Sequence, residues 1–190
     1  MKSMNIMIVG VGGQGSLLAS KVLGRILMNA GYDVKVSEVH GMSQRGGSVV
    51  TFVRCGESVA SPVIDRGQAD YIVSFELLEA ARWLPWLRKG GKIVSNSQQI
   101  DPMPVITDAK DYPSDLAEQM ATAGVDADIF DAFSVAENAG SSKAVNIALM
   151  GHLSKYFPFS DDDWQRALSE CVPPKFLELN KRAFALGREA

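Results

Sequence analysis

Asn5-Ile6-Met7-Ile8-Val9-Gly10-Val11-Gly12-Gly13-Gln14-Gly15 decides how the rest of the chain is read. Asn5 to Val9 is apolar without alternation, the pattern of a strand buried on both faces. Glycines follow at once. Leu18, Val22 and Ile26, with Ala19, Leu23 and Leu27, then recur at helical spacing up to Ala30, and Gly31 fits a helix stop. Asp33 to Val39 suits a second strand. Strand, glycine loop, helix and strand predict parallel pairing through a right-handed crossover.

Further along, Ser48 to Arg54 is β-branched and apolar, a third strand. Cys55-Gly56-Glu57 reads as a turn into a short strand at Ser58 to Ala60, which predicts an antiparallel hairpin. Tyr71 to Phe75, Lys92 to Ser95 and Asp128 to Phe133 are further strands, and Pro104 to Thr107 is a short edge strand. Helices are expected over Glu76 to Arg88, interrupted at Pro85, and from an N-cap at Ser114 through Ala123, stopped by Gly124. Others cover Ser141 to Phe157, the stretch after the acidic cap Ser160-Asp161-Asp162-Asp163, and Lys175 to Arg188 beyond Pro173-Pro174. The fold class is α/β: three layers, α/β/α, around a Rossmann-like, mostly parallel sheet with an antiparallel hairpin insertion. Residues 1–190 are expected to form a single domain, with the C-terminal helices 141–190 packing on the same core. Trp83, Trp86 and Trp164 are read as core.

The bulk composition excludes several function classes. A net charge of -3 without a Lys/Arg-rich block argues against nucleic-acid binding. Cys55 and Cys171 are far apart and without a CxxC, so they read as free thiols; two cysteines build neither a zinc site nor an iron–sulfur site. The opening Met1 to Gly10 mimics a signal peptide, but its apolar run is short and cut by glycines. No apolar stretch reaches the ~20 residues that span a bilayer. No membrane association and a cytoplasmic location are expected.

Gly10, Gly12 and Gly15 satisfy G-x-G-x-x-G between a strand and a helix. Such glycines let amide N–H groups approach an anion at a helix N-terminus. Three readings stay open for the loop alone: a dinucleotide site, with Glu38 as the ribose acid; a turn that only packs helix on sheet; or another phosphate site. Walker A fails, because Ser16 rather than Lys follows Gly15. Lys21 either reaches back toward an anion or shares a solvated face with Arg25. The second loop, Glu38-Val39-His40-Gly41-Met42-Ser43-Gln44-Arg45-Gly46-Gly47, gathers an acid, an imidazole, a hydroxyl, an amide and a guanidinium beside a strand end. Arg45 suits a phosphate or carboxylate. His40 is read as a hydrogen-bonded structural residue, with acid–base work the minority reading. No Cys or Ser near His40 offers the logic of a catalytic triad.

Gly10-Val11-Gly12-Gly13-Gln14-Gly15 together with Gln44-Arg45-Gly46-Gly47 resembles the gamma domain of 2-oxoacid:ferredoxin oxidoreductases. Glu38 to Ser43 is similar to the indolepyruvate branch, where the pyruvate and oxoglutarate branches carry a Tyr-Gly-Pro-like core. Asn146 with Gly151, and Pro174-Lys175 with Asn180, Ala183, Phe184 and Gly187, extend the resemblance over nearly the whole chain. It implies oxidative decarboxylation of a 2-oxoacid with coenzyme A, giving an acyl-CoA, carbon dioxide and reduced ferredoxin; one branch favours indolepyruvate or another aryl pyruvate. It implies thiamine diphosphate, Mg and iron–sulfur clusters, none held by this chain alone, which lacks a Gly-Asp-Gly motif and sufficient cysteines. A larger alpha-type subunit, which also meets ferredoxin, would carry them. The resemblance leaves this chain to place coenzyme A at a shared cleft. Gly12, Gly13, Gln14, Gly15 and Ser16 are then phosphate contacts, Lys21 and Arg45 counter-charges, and Ser43 and Gln44 polar contacts near the thioester end. No residue is assigned proton transfer. A free-standing NAD(P)-dependent oxidoreductase and a non-catalytic nucleotide- or coenzyme-A-binding module are the competing expectations.

Overall fold

Strands apolar on both faces demand helices above and below them. The computed structural model describes residues 3–40 and 47–190. Strands β1 (Met4–Val11), β2 (Asp33–His40), β3 (Ser48–Gly56), β4 (Ala69–Ser74), β5 (Leu87–Asn96) and β6 (Asp126–Phe130) form one sheet in the order β2-β3-β1-β4-β5-β6. β1, β4, β5 and β6 run parallel, and β3 is antiparallel to both β1 and β2. Helices α1 (Ser16–Asn29), α2 (Leu77–Trp83), α3 (Met103–Ile106) and α4 (Leu116–Thr122) are followed by α5 (Ala132–Ala139), α6 (Val145–Ser154), α7 (Asp161–Cys171) and α8 (Pro174–Glu189).

The strict alternation of β1 builds two cores. Ile6 and Ile8 face one side with Leu23 of α1, Ile147 of α6, Trp164 of α7 and Phe184 of α8. Met7 and Val9 face the other, with Leu77 of α2 and Leu116 and Met120 of α4. α6 and α8 meet at backbone distance. A Cβ on Gly151 would lie 2.1 Å from the Phe184 carbonyl oxygen, and one on Gly187 would lie 2.1 Å from that of Ala148. Only glycine permits that crossing. Next to Gly151 in α6, buried His152 bonds Asp128 of β6 at 2.8 Å and stacks on Phe130 at 4.0 Å between centroids. The Tyr156 hydroxyl donates to the same Asp128 oxygen.

Several expectations are corrected. The antiparallel element is β3 itself, not a hairpin with Ser58 to Ala60, which is not a strand. Val49 to Val53 is buried throughout, so β3 takes a central place and separates β2 from β1. The βαβ unit is thus parallel without its two strands being neighbours. Residues 104–107 turn helically rather than extending, because the Pro102 carbonyl accepts from Val105 and Ile106. β6 stops at Phe130, where Asp131 caps α5 by accepting from the Ser134 N–H at 2.9 Å. Asp115, not Ser114, precedes α4. The helix after Glu76 gives way at Pro85, and β5 begins directly at Leu87. Trp164 is fully buried, whereas Trp83 and Trp86 are half-buried and meet each other edge-on at 4.7 Å.

Candidate functional site

Crevices in open α/β sheets lie beyond the carboxyl ends of the strands. Here that edge gathers the glycine loop after β1, residues 75–77 after β4, 97–100 after β5 and 131–133 after β6.

The loop is held from within. Gly10 lies under Phe75, whose Cβ would stand 2.9 Å from any Cβ there. The Gln14 side chain folds back and accepts the Val11 N–H at 2.7 Å. Its amide donates to the Phe75 carbonyl at 3.2 Å. Gln14 therefore ties β1 to β4 by its side chain instead of aiming it outward. The Gly12 N–H donates to the Gly47 carbonyl at 2.9 Å, so it is also committed. Gly13 and Gly15 take φ values of +101° and +87°, the left-handed region that glycine adopts at low cost. The Ser16 hydroxyl donates to Glu38 at 3.0 Å, and Thr51 donates to the same oxygen at 2.9 Å. Among the described residues no acceptor takes the N–H groups of Gly13, Gly15, Ser16 and Leu17. These amides open at the positive end of α1.

Two concavities flank the loop. One, of about 440 Å³, is lined by Gly13, Gln14, Gly15, Gln98, Phe133 and Lys143 among others. Lys143 is exposed and stands in the turn that leads into α6. The other, of about 500 Å³, lies between the loop, Leu17, Glu38 and Val49. Lys21 faces neither. It lines a separate groove with Arg25, Met28, Val36 and Cys171. Ser43, Gln44 and Arg45 lie outside the described residues. The structure thus brings Gly13 and Gly15 together with Lys143, a residue that the sequence reading does not single out, while Ser16 lines the second concavity with Glu38. The signal for the lysine is Ser141-Ser142-Lys143 ahead of the apolar α6, a cap with a cation in it. Gln98, Ile100 and Phe133 follow from position alone, since they come after β5 and β6 at the carboxyl edge.

Ile100 in the wall of the first concavity is anchored by a buried acid. Glu76 is 1 % exposed and accepts from the Ile100 N–H at 3.1 Å, the Glu79 N–H at 2.8 Å and the Tyr112 hydroxyl. Burial, and then the adjacent Glu76 carboxylate, push the Tyr112 phenol well above its ordinary range. Glu79 accepts from Ser48 at 2.5 Å, Arg82 at 2.8 Å and Trp83 at 3.3 Å. Each buried carboxylate is met by several donors, as burial of charge requires. Glu76 braces that wall through Ile100, whereas Glu79 ties Ser48 of β3 to α2.

The dinucleotide reading fares poorly on this geometry. In a dinucleotide fold the acid at the end of the second strand reaches ribose beside the first strand. Here β3 intervenes, and Glu38 accepts the hydroxyls of Ser16 and Thr51. Among the described residues no three His, Cys, Asp or Glu cluster to hold a metal ion. No helix among them is long and apolar enough to cross a membrane. Cys55 is buried, which pushes its thiol up to about 11.

Residues 5–190 match the family described as pyruvate ferredoxin/flavodoxin oxidoreductase. An indolepyruvate oxidoreductase subunit IorB of Thermococcus kodakarensis is 43% identical over 196 residues, which span 100% of this chain and 96% of that one. The keto/oxoacid ferredoxin oxidoreductase gamma subunit of Geobacter sulfurreducens shares the fold at a TM-score of 0.72 and 22% identity, over 98% of this chain and 96% of that one. A 2-oxoglutarate:ferredoxin oxidoreductase of Magnetococcus marinus, solved with 2-oxoglutarate, coenzyme A and succinyl-CoA bound, matches at a TM-score of 0.74 and 20% identity. There the match covers 100% of this chain and 31% of the other. The chain belongs to the pyruvate ferredoxin/flavodoxin oxidoreductase family.

Proposed function

We propose that this chain is the small subunit of a cytoplasmic 2-oxoacid:ferredoxin oxidoreductase acting on indolepyruvate or a related aryl pyruvate, and that it holds the anionic tail of coenzyme A. The observation that carries the second part is the set of open amides at Gly13, Gly15, Ser16 and Leu17, between a concavity of about 440 Å³ that Gly13 and Gly15 line with Lys143 and one of about 500 Å³ that they line with Ser16 and Leu17. Amides at a helix N-terminus with a nearby cation suit a phosphate. Phe133, 38% exposed at the first of these, offers an apolar face to the rest of the ligand. The family resemblance supports Arg45, Ser43 and Gln44 of the second loop as further contacts, and Gly12 and Gln14 serve the site by shaping the glycine loop.

On this reading a larger subunit carries thiamine diphosphate, Mg and the iron–sulfur clusters, and passes electrons to ferredoxin. Thiamine diphosphate would supply the decarboxylation chemistry and the clusters the electron route. This chain's own work is placement: its amides fix one end of coenzyme A so that the thiol end reaches a cleft closed by the partner. The substrate preference is supported by the 43% identity to a subunit named for indolepyruvate.

The test is to co-purify the chain with that larger subunit. Coenzyme-A-dependent viologen reduction is then assayed anaerobically with indolepyruvate, phenylpyruvate and pyruvate. The expected result is turnover that needs both chains and is fastest with the aryl substrates. A pair inert on every 2-oxoacid, with this chain alone oxidising NADH, would overturn the proposal.

A further inference from the structure

Gly15 is held by a residue 131 positions away. Asn146, in the first turn of α6, is 5% exposed, and its Nδ2 donates to the Gly15 carbonyl at 3.2 Å. Its Oδ1 accepts the Ile147 N–H at 2.9 Å, which fixes the amide's orientation. The same Gly15 carbonyl accepts the first helical N–H groups of α1, from Leu18 at 3.2 Å and Ala19 at 3.3 Å. Contact is close enough that a Cβ on Gly15 would lie 2.5 Å from Asn146 Nδ2.

The peptide between Gly15 and Ser16 is trans, as no cis bond is present among the described residues. In a trans peptide the C=O and N–H point in opposite directions. A donor that pins the Gly15 carbonyl toward α6 therefore aims the Ser16 N–H away from it, out of the N-terminal end of α1. α6 is a rigid mount for that donor, because Gly151 lets it sit against the backbone of α8.

We infer that Asn146 is a positioning residue for the ligand's anionic group: its hydrogen bond to Gly15 orients the Ser16 amide that contacts the anion. The inference rests on the coenzyme A reading above. Asn146 touches no ligand itself; it acts through the peptide that does. It also couples the C-terminal helices to the loop, so the two ends of the chain meet at the site.

The test uses the two-chain enzyme with Asn146→Ala and Asn146→Asp. Aspartate keeps the shape and the bond from the Ile147 N–H, but sets a carboxylate oxygen where the donor stood, facing the Gly15 carbonyl. Asn146→Ala should raise the KM for coenzyme A about threefold to tenfold, the worth of one neutral hydrogen bond, and Asn146→Asp at least as much, since its carboxylate also repels the Gly15 carbonyl. kcat and the KM for the 2-oxoacid should stay within about twofold, since only binding of one substrate is touched. A merely structural role would instead lower Tm and move kcat and both KM values together, and that result overturns the inference. If Asn146→Ala fails to assemble, Asn146→Asp alone decides. Gly13→Leu separates the two claims. If it raises the KM for coenzyme A while Asn146→Asp does not, the inference alone falls. If neither variant moves that KM, the coenzyme A site falls with it.

Discussion

Replacing Gly151 with alanine adds one methyl group where two helices touch through their backbones. Its Cβ would stand 2.1 Å from the Phe184 carbonyl oxygen, 2.9 Å from the carbonyl carbon and 3.1 Å from the Arg188 nitrogen. Close C···O contacts lie near 3.3 Å, so α6 and α8 must part by about 1 Å. No side chain can swing aside, since every atom met is backbone. Overpacking costs about 1–3 kcal/mol, and this case belongs at the upper end. Better helix propensity returns about 1 kcal/mol, leaving a loss of about 2 kcal/mol or more. In a chain of this size that is a fall in Tm of about 4–8 °C. Gly24→Ala in α1 is the matched control. Its Cβ would meet only Val36 Cγ2 at 3.8 Å and Val34 Cγ1 at 4.0 Å, which is ordinary contact. It should hold or raise Tm by up to about 4 °C through propensity alone. Scanning calorimetry of both variants checks the pair. The reasoning is refuted if Gly151→Ala melts with the wild type, or if the two variants shift together.

Asp128 supplies a pH-dependent prediction. Burial pushes its carboxyl up, but the Tyr156 hydroxyl and His152 outweigh burial and hold it below the usual carboxylate range. A depressed folded-state pKa stabilises above the unfolded value, about 3.9, and the gain is lost as pH falls through the folded value. Asp128→Asn should therefore cost about 1–2 kcal/mol at neutral pH and progressively less below about pH 4, read from urea midpoints across pH; a gap that stays constant down to acid contradicts the assignment. At the start of α7, the Ser160 hydroxyl accepts the Asp163 N–H at 3.2 Å in a reciprocal capping box. Ser160→Ala should lower stability by about 1 kcal/mol, and an unchanged urea midpoint would count against that cap.

The sheet was legible where one pattern admits one environment. The unbroken apolar run of β1 and the glycines after it located the central strand and the loop, because only a twice-buried strand reads that way. The order of strands was less legible. β3 and a hairpin strand share the same β-branched composition, and whether β3 lies outside β2 or between β2 and β1 depends on pairing across the sheet, which no local window contains. Ala132 and Phe133 read as a continuing strand because their apolarity masks Asp131, the cap that starts α5. At the site, the glycines announced an amide cup, yet the side chains of Gln14 and Ser16 turned out to hold the loop rather than face its concavities openly. Lys143 and Asn146 reach the loop from more than a hundred residues away, so spacing along the chain gave them no local signature. Lys21 was suggested by nearness in sequence, but its helical position carries it to a different groove.

The central claim is that the loop after β1 grips coenzyme A by its phosphates. The direct measurement is the KM for coenzyme A of the two-chain enzyme carrying Gly13→Leu or Lys143→Ala. A Cβ on Gly13 would meet no atom within 4 Å, so leucine enters open space beside the amides while straining a φ of +101°. The account predicts that Gly13→Leu raises this KM at least about tenfold, and that Lys143→Ala raises it about fivefold at low salt and less at high salt. Unchanged coenzyme A kinetics in both variants, with the assembled enzyme still turning over its 2-oxoacid, would contradict it.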